Sequence, residues 1–179
     1  MKIPLSILCS LFLISCNRDY NIAVPEELPI GTNVFFVDGK SRTFSNNLRT
    51  QKLGTGELAT NLLFEETFDN GVVNQLILFT TSPTEKITYT ISGDEGTDPE
   101  KMYTYFEQGY EEDLFGYEYV YNCGKDDFVI LDKYDTINQI VSGSGQLSFK
   151  RIRKNGAPSG SHLDKYVTID FAFNDLYEK

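Results

Sequence analysis

Short runs of β-branched and aromatic residues, cut every few positions by turn signals, restrict this chain to a β fold. From Lys86 to Ser92 the residues Ile87, Tyr89 and Ile91 alternate onto one face, the period of two that a half-buried strand shows. Asp38-Gly39 separates Val34–Val37 from Ser41–Phe44, and Asp69-Asn70-Gly71 separates Leu58–Phe68 from Val72–Thr80. Both are hairpin signals, because these residue types tolerate the left-handed backbone of tight turns. Further strand-like runs lie at Met102–Phe106 and Phe115–Tyr121, around an acidic loop at Glu111-Glu112-Asp113. Others follow at Phe128–Lys133, Ile137–Val141, Gln146–Arg153 and Tyr166–Phe173. Only Leu58–Leu63, opened by Glu57-Leu58-Ala59, reads as a short helical piece, and no segment sustains a 3.6-residue period. The expectation is an all-β domain over residues 32–179, an antiparallel β-sandwich of about nine to eleven short strands. A lipocalin-like β-barrel is the alternative.

The first residues follow a different logic. Met1-Lys2 precedes an uncharged stretch, Ile3–Ile14, which is too short for a membrane-spanning helix but has the length of a secretory apolar region. It ends in Leu13-Ile14-Ser15-Cys16, which resembles the lipobox of bacterial lipoproteins. The resemblance implies removal of residues 1–15 and attachment of fatty-acyl chains, palmitate among them, at Cys16. Two or three chains anchor stably where one does not. The next residue is Asn17 rather than Asp, which under the enteric sorting rule directs a lipoprotein to the outer membrane. An ordinary signal peptide with an incidental Cys16 is the alternative. Residues 16–31, with Pro25, Pro29 and Gly31, read as a lipidated tether.

Charge and cysteine usage narrow the classes further. The formal net charge is −10, and thirteen acidic residues between Asp94 and Asp135 face only Lys101, Lys125 and Lys133. Such a surface argues against nucleic-acid binding, which requires phosphate neutralisation. Lys150, Arg151, Arg153 and Lys154 form a basic cluster that reads as a solvated strand end. Once Cys9 leaves and Cys16 is lipidated, Cys123 stands alone, so no intramolecular disulfide framework is expected. Cys123 itself reads as a small, partly buried strand residue.

A second resemblance lies in the C-terminal half. Tyr134-Asp135-Thr136-Ile137-Asn138-Gln139-Ile140-Val141-Ser142-Gly143, followed by Gln146-Leu147-Ser148-Phe149, is similar to a block of small Bacteroidota lipoproteins. In that block a strand pair precedes a last strand ending near Phe-Asp, here Ile169-Asp170-Phe171-Ala172-Phe173-Asn174-Asp175. Gly145-Gln146 stands where a Thr-Phe pair is usual, and the last strand lacks the usual glycine. The family is a domain of unknown function, so the resemblance implies a compartment and a β fold but no activity.

Residues able to carry chemistry are few. His162 is the single histidine and lies in a Gly-, Pro- and Ser-rich segment with Ser161 and Asp164, a poor frame for a rigid catalytic triad. One histidine and one free cysteine do not assemble a zinc site of usual composition, and no cofactor is expected. The acidic neighbours Glu65-Glu66, Glu111-Glu112-Asp113 and Asp126-Asp127 would point to opposite faces of a strand, which argues against a hydrolytic carboxylate pair. Asp94, Glu95 and Asp98 are the best calcium candidates, without full EF-hand spacing. Gly54-Thr55-Gly56 and Gly143-Ser144-Gly145 lack the lysine and helix of a phosphate loop. Asp135-Thr136-Ile137 is similar to the O-glycosylation acceptor of exported Bacteroidota proteins, which makes Thr136 the acceptor; a turn before Ile137 explains the same residues.

Six of the eleven tyrosines fall between Tyr103 and Tyr121, and Tyr117, Tyr119 and Tyr121 alternate onto one face. Such a face either presents aromatic plates to a glycan or protein ligand or supplies part of the core. The absence of tryptophan favours the core. The expected function is a membrane-anchored, non-enzymatic module that binds a glycan, a peptide or an envelope partner. A structural or assembly subunit of an outer-membrane complex is the alternative, and a hydrolase comes third.

Overall fold

In the computed structural model the described residues are 28–52, 58–81, 83–94, 96, 98–110, 113–124, 126–153 and 163–178. They form strands and turns without a helix. In chain order the strands are β1 (Thr32–Val37), β2 (Lys40–Arg42), β3 (Ser45–Lys52), β4 (Leu58–Thr67), β5 (Val72–Thr80) and β6 (Thr88–Ser92). The remaining five are β7 (Lys101–Tyr110), β8 (Asp113–Tyr121), β9 (Phe128–Asp135), β10 (Ile140–Arg153) and β11 (Tyr166–Leu176). The all-β expectation is therefore met, with every strand in one eleven-stranded sheet.

The turn chemistry works as the residues dictate. Asp38 and Gly39, at φ 51° and 73°, close the β1–β2 hairpin with two left-handed residues. Gly71, at φ 76°, closes the three-residue β4–β5 loop, where Phe68 N donates to Val72 O at 2.8 Å and Gly71 N to Phe68 O at 2.9 Å. Between β9 and β10 the Asp135 carboxylate accepts from Ile137 N and Asn138 N, both at 2.9 Å, and so holds the turn itself.

Three local expectations need correction, and one strand, β3, has no counterpart among them. Leu58–Leu63 is not helical but opens β4, because Thr60, Leu62 and Phe64 alternate inward at strand period. Ile137 begins no strand; it is 87% exposed at the turn tip. Ile140–Arg153 is one strand that runs straight through Gly143-Ser144-Gly145. β3 carries the polar sequence SNNLRTQK, in which Leu48 alone supplies a buried apolar anchor, so its apolar alternation is too thin to read.

The strand order is β2-β1-β11-β10-β9-β6-β7-β5-β4-β3, with β8 bridging β10 and β7. One edge of β10 pairs with β11 from Ile140 to Lys150, while the other serves β9 from Ile140 to Gln146 and β8 from Phe149 to Arg153. The sheet is mixed rather than wholly antiparallel, since β6 runs parallel to β7. Its β3 end is tied back to β1 and β11, the strands next to the other end. Glu178 N donates to Leu48 O at 2.9 Å, Asn46 Nδ2 to Asp175 Oδ2 at 2.8 Å, and Asn33 Nδ2 to Asn46 Oδ1 at 2.6 Å. These bonds give the outer edge of β3 partners and so limit its use as a template for another chain.

The core is aromatic where these ends meet. Phe35 stacks on Phe44 at 4.4 Å and on Phe171 at 5.8 Å, and Phe64 tilts against Phe173 at 5.2 Å. Gly143 and Gly145 lie directly opposite Phe173 and Phe171 on β11. A Cβ at residue 145 would stand 2.6 Å from Phe171 Cζ and 2.7 Å from the Phe128 carbonyl oxygen; one at 143 would strike the Ile130 carbonyl oxygen. The pair of glycines is thus a steric requirement of the β9 carbonyls and the β11 rings together. Gly145→Ala is expected to destabilise the domain by about 1–3 kcal/mol through overpacking. Ser144→Ala, on the outer face, should stay within about 0.5 kcal/mol. Urea denaturation of the two variants beside the native chain checks the contrast.

Candidate functional site

Strand period assigns every residue of β1, β11, β10 and β9 to one of two faces. Inward go Phe35, Phe171, Gly145 and Val129; outward, in the next cross-strand row, go Phe36, Asp170, Gln146 and Phe128. Asp170 is directly opposite Phe36 on one side and Gln146 on the other, and Gln146 is directly opposite Phe128. Phe36 and the Gln146 amide beside Asp170, and Phe128 beyond the amide, are half-buried and longer than the aspartate, so Asp170 is the low point of the row. It is only 5% exposed.

The next row belongs to two other aspartates. Asp38 Oδ1 accepts from Thr168 N at 2.9 Å. Asp127 Oδ2 accepts from Gly124 N at 2.7 Å and Ser148 N at 3.1 Å, and its Oδ1 from Ser148 Oγ at 2.8 Å. Since Ser148 lies opposite Thr168, both carboxylates bind the one row next to that of Asp170. Asp170 itself receives no hydrogen bond and no ion pair from any described residue, and the Gln146 side-chain amide likewise makes none. Burial pushes the Asp170 carboxyl above the usual carboxylate range, and the charges of Asp127 and Asp38 push it the same way.

A buried polar line on the inner face makes an instructive contrast. Gln108 Nε2 donates to Asn74 Oδ1 at 2.8 Å, Asn74 Nδ2 donates to Glu66 Oε2 at 2.8 Å, and Arg42 Nη1 lies 3.5 Å from Glu66 Oε1. The Gln108, Asn74 and Glu66 side chains bond to one another, and Arg42 carries the line from β2 to β4, although its Nε finds no partner among the described residues. That is how a buried charge is normally kept. Asp170 is not kept in that way.

The residues expected from sequence fare unevenly. Tyr117 and Tyr119 do not face a ligand: both are buried, Tyr119 against Phe106 at 5.0 Å and Tyr117 beneath the Arg151 guanidinium at 4.9 Å. The physical reason is that the odd-numbered face of β8 is the one turned to the core. Tyr121 is half-buried against Phe149, and its hydroxyl pKa is raised by burial, then by Asp127 and Cys123. Cys123 is exposed in the β8–β9 loop at φ 23°, not partly buried in a strand, because β8 ends at Tyr121 and the chain turns through Gly124 towards Asp127.

Among the acidic neighbours, Glu66 points inward, while Glu65 points outward and accepts from Gln75 Nε2 at 2.7 Å. Asp98 accepts from Glu100 N at 3.1 Å and lies 3.4 Å from Lys101 Nζ, contacts that hold its carboxyl below the usual range and occupy it at the start of β7. Asp94 lies exposed beyond β6. No cluster of three or more His, Cys, Asp or Glu among the described residues is placed to hold a metal ion. Thr136 is exposed at the β9–β10 turn, beside the carboxylate that organises it. Cys16, Asn17, Glu95, Glu111, Glu112, His162 and the Gly54-Thr55-Gly56 segment lie outside the described residues.

The Phe36–Asp170–Gln146–Phe128 row was not found from sequence. A single acid within Ile169-Asp170-Phe171-Ala172-Phe173 was its only trace; the flanking rings and the amide come from three other strands.

An all-β domain with an outward, aromatic-flanked carboxylate is what the fold and the site together define. No family profile, curated protein or solved structure matches the chain.

The Asp170 geometry has a thermodynamic consequence. A carboxyl whose pKa is raised on folding destabilises the native state at neutral pH, and the penalty fades as pH falls through the folded pKa towards the unfolded value of about 3.9. Asp170→Asn is therefore expected to melt at higher temperature than the native chain at pH 7, with the gap narrowing towards pH 4. Paired thermal melts across that range check it; a native chain more stable than the variant at pH 7 would contradict it.

Proposed function

We propose that this chain is a lipid-anchored, non-enzymatic binding module of the bacterial cell envelope, held at the outer membrane through Cys16. Its ligand, a glycan, a peptide or an envelope partner, docks on the outer face of β1, β11, β10 and β9. The observation that carries this reading is the buried carboxylate of Asp170, without a hydrogen bond or ion pair from any described residue, between Phe36 and Gln146 and with Phe128 beyond the amide. Such a group costs stability and does nothing for packing, which is the usual mark of a residue retained for recognition. The lipobox-like Leu13-Ile14-Ser15-Cys16 supports the anchor.

A second reading, a structural or assembly subunit, draws on a different face. On the outer side of β4, β5 and β7 the half-buried Leu63, Ile77 and Tyr105 stand side by side in one cross-strand row. A flat apolar row of this kind suits a protein neighbour better than a small ligand. Hydrolysis finds less support, since Glu65 and Glu66 point to opposite faces.

A photo-cross-linking amino acid placed in living cells at position 36 or 128, and separately at 77, separates these readings. The binding reading expects ultraviolet-dependent adducts from 36 and 128, both lost on Asp170→Asn; adducts from 77 alone would favour the assembly reading. In the same cells Cys16→Ala should move the chain from the membrane to the soluble fraction.

A further inference from the structure

The low point of the outer row is narrow. Asp170 is 5% exposed, so a group that reaches its carboxylate must be slim, and the side chains beside it are Phe36 and Gln146, with the Phe128 ring beyond the amide. Asp38 and Asp127 add two negative charges close enough to act on Asp170. Both are already committed to backbone and hydroxyl donors, so they contribute field rather than open coordination. The Gln146 amide beside Asp170 supplies a carbonyl oxygen with no partner of its own.

We propose that this site takes a primary alkylammonium group, its N–H donors meeting the Asp170 carboxylate and the Gln146 amide oxygen, its alkyl stem lying along Phe36 and Phe128. The proposal rests on the binding reading above and names the chemical class of the ligand. Three properties of the site select that class. A carboxylate without a donor, in a field of two more, favours a cation over a neutral or acidic ligand. Flanking aromatic rings favour a cation with an apolar stem. The narrow approach favours a compact ammonium over the broad planar fork of a guanidinium. A bare metal ion fits less well, since no described cluster offers it three side-chain ligands. A lysine side chain and a free aliphatic amine both carry the required group.

The test uses the full chain in detergent micelles, titrated with cadaverine, with agmatine, and with a short lysine peptide in free and Nε-acetylated forms. Isothermal titration calorimetry is the readout, beside the backbone amide shifts of residues 36, 128, 146 and 170. The proposal expects the free lysine peptide or cadaverine to bind at least tenfold more tightly than agmatine or the acetylated peptide. Asp170→Asn should remove that preference, and Gln146→Ala should weaken it. Preference for the peptide over cadaverine would identify a lysine-bearing partner; the reverse would identify a free amine. Equal binding of the free and acetylated peptides, tighter binding of agmatine, or an unchanged affinity in Asp170→Asn would overturn the proposal. If no amine binds while cross-links still form from positions 36 and 128, the cationic ligand fails and the binding module stands. If both are absent, both fail.

Discussion

The rings of Phe171 and Phe173 lie across β10 at the two positions where Gly143 and Gly145 carry no side chain. Much of the architecture depends on that contact. It lets β11 sit close against the strand that also pairs with β9 and β8, and it carries the aromatic core to Phe35 and Phe64. It also fixes register. With Gly145 under Phe171, the adjacent pair Gln146 and Asp170 must point outward together; a slip of one residue would exchange the faces and carry the carboxylate into the core. The packing inside thus determines the chemistry offered outside.

Two buried carboxylates in the same sheet are kept in different ways. Glu66 lies on the inner face, where Asn74 donates to it and Arg42 approaches it, so its charge is absorbed into the structure. Asp170 has neither a donor nor a cation among the described residues, and its neighbours Asp38 and Asp127 repel it. Burial is comparable, yet only one of the two contributes to holding the fold together. A ligand that brings a donor to Asp170 would turn the same unfavourable energy into affinity, because it relieves a desolvated charge rather than making a new contact from solvent.

Local rules carry a sequence reading of this chain some distance. Asp38-Gly39 and Asp69-Asn70-Gly71 declare their hairpins because the left-handed backbone they adopt belongs to a short menu of residues. Alternation declares β6 and β8. What alternation does not say is which face turns inward, and so the tyrosines of β8 are assigned to the core from sequence only by the absence of tryptophan, with a ligand platform left open. Ser45–Lys52 is a strand because its neighbours β4 and the chain end accept it, not because its own residues require one. Gly143-Ser144-Gly145 looks like an interruption until the partner rings are known. The Asp170 site was the least legible, because its four side chains come from four strands and meet only through pairing.

The register of β10 between β11 and β9 is the claim on which core and site both rest. Cross-strand nuclear Overhauser effects on the isotopically labelled chain measure it directly. The structure predicts contacts from residue 146 to residue 170 on one side and to residue 128 on the other. Contacts from residue 145 or 147 to residue 170 in their place would mean a one-residue slip, an inward Asp170 and the loss of the outer-face site.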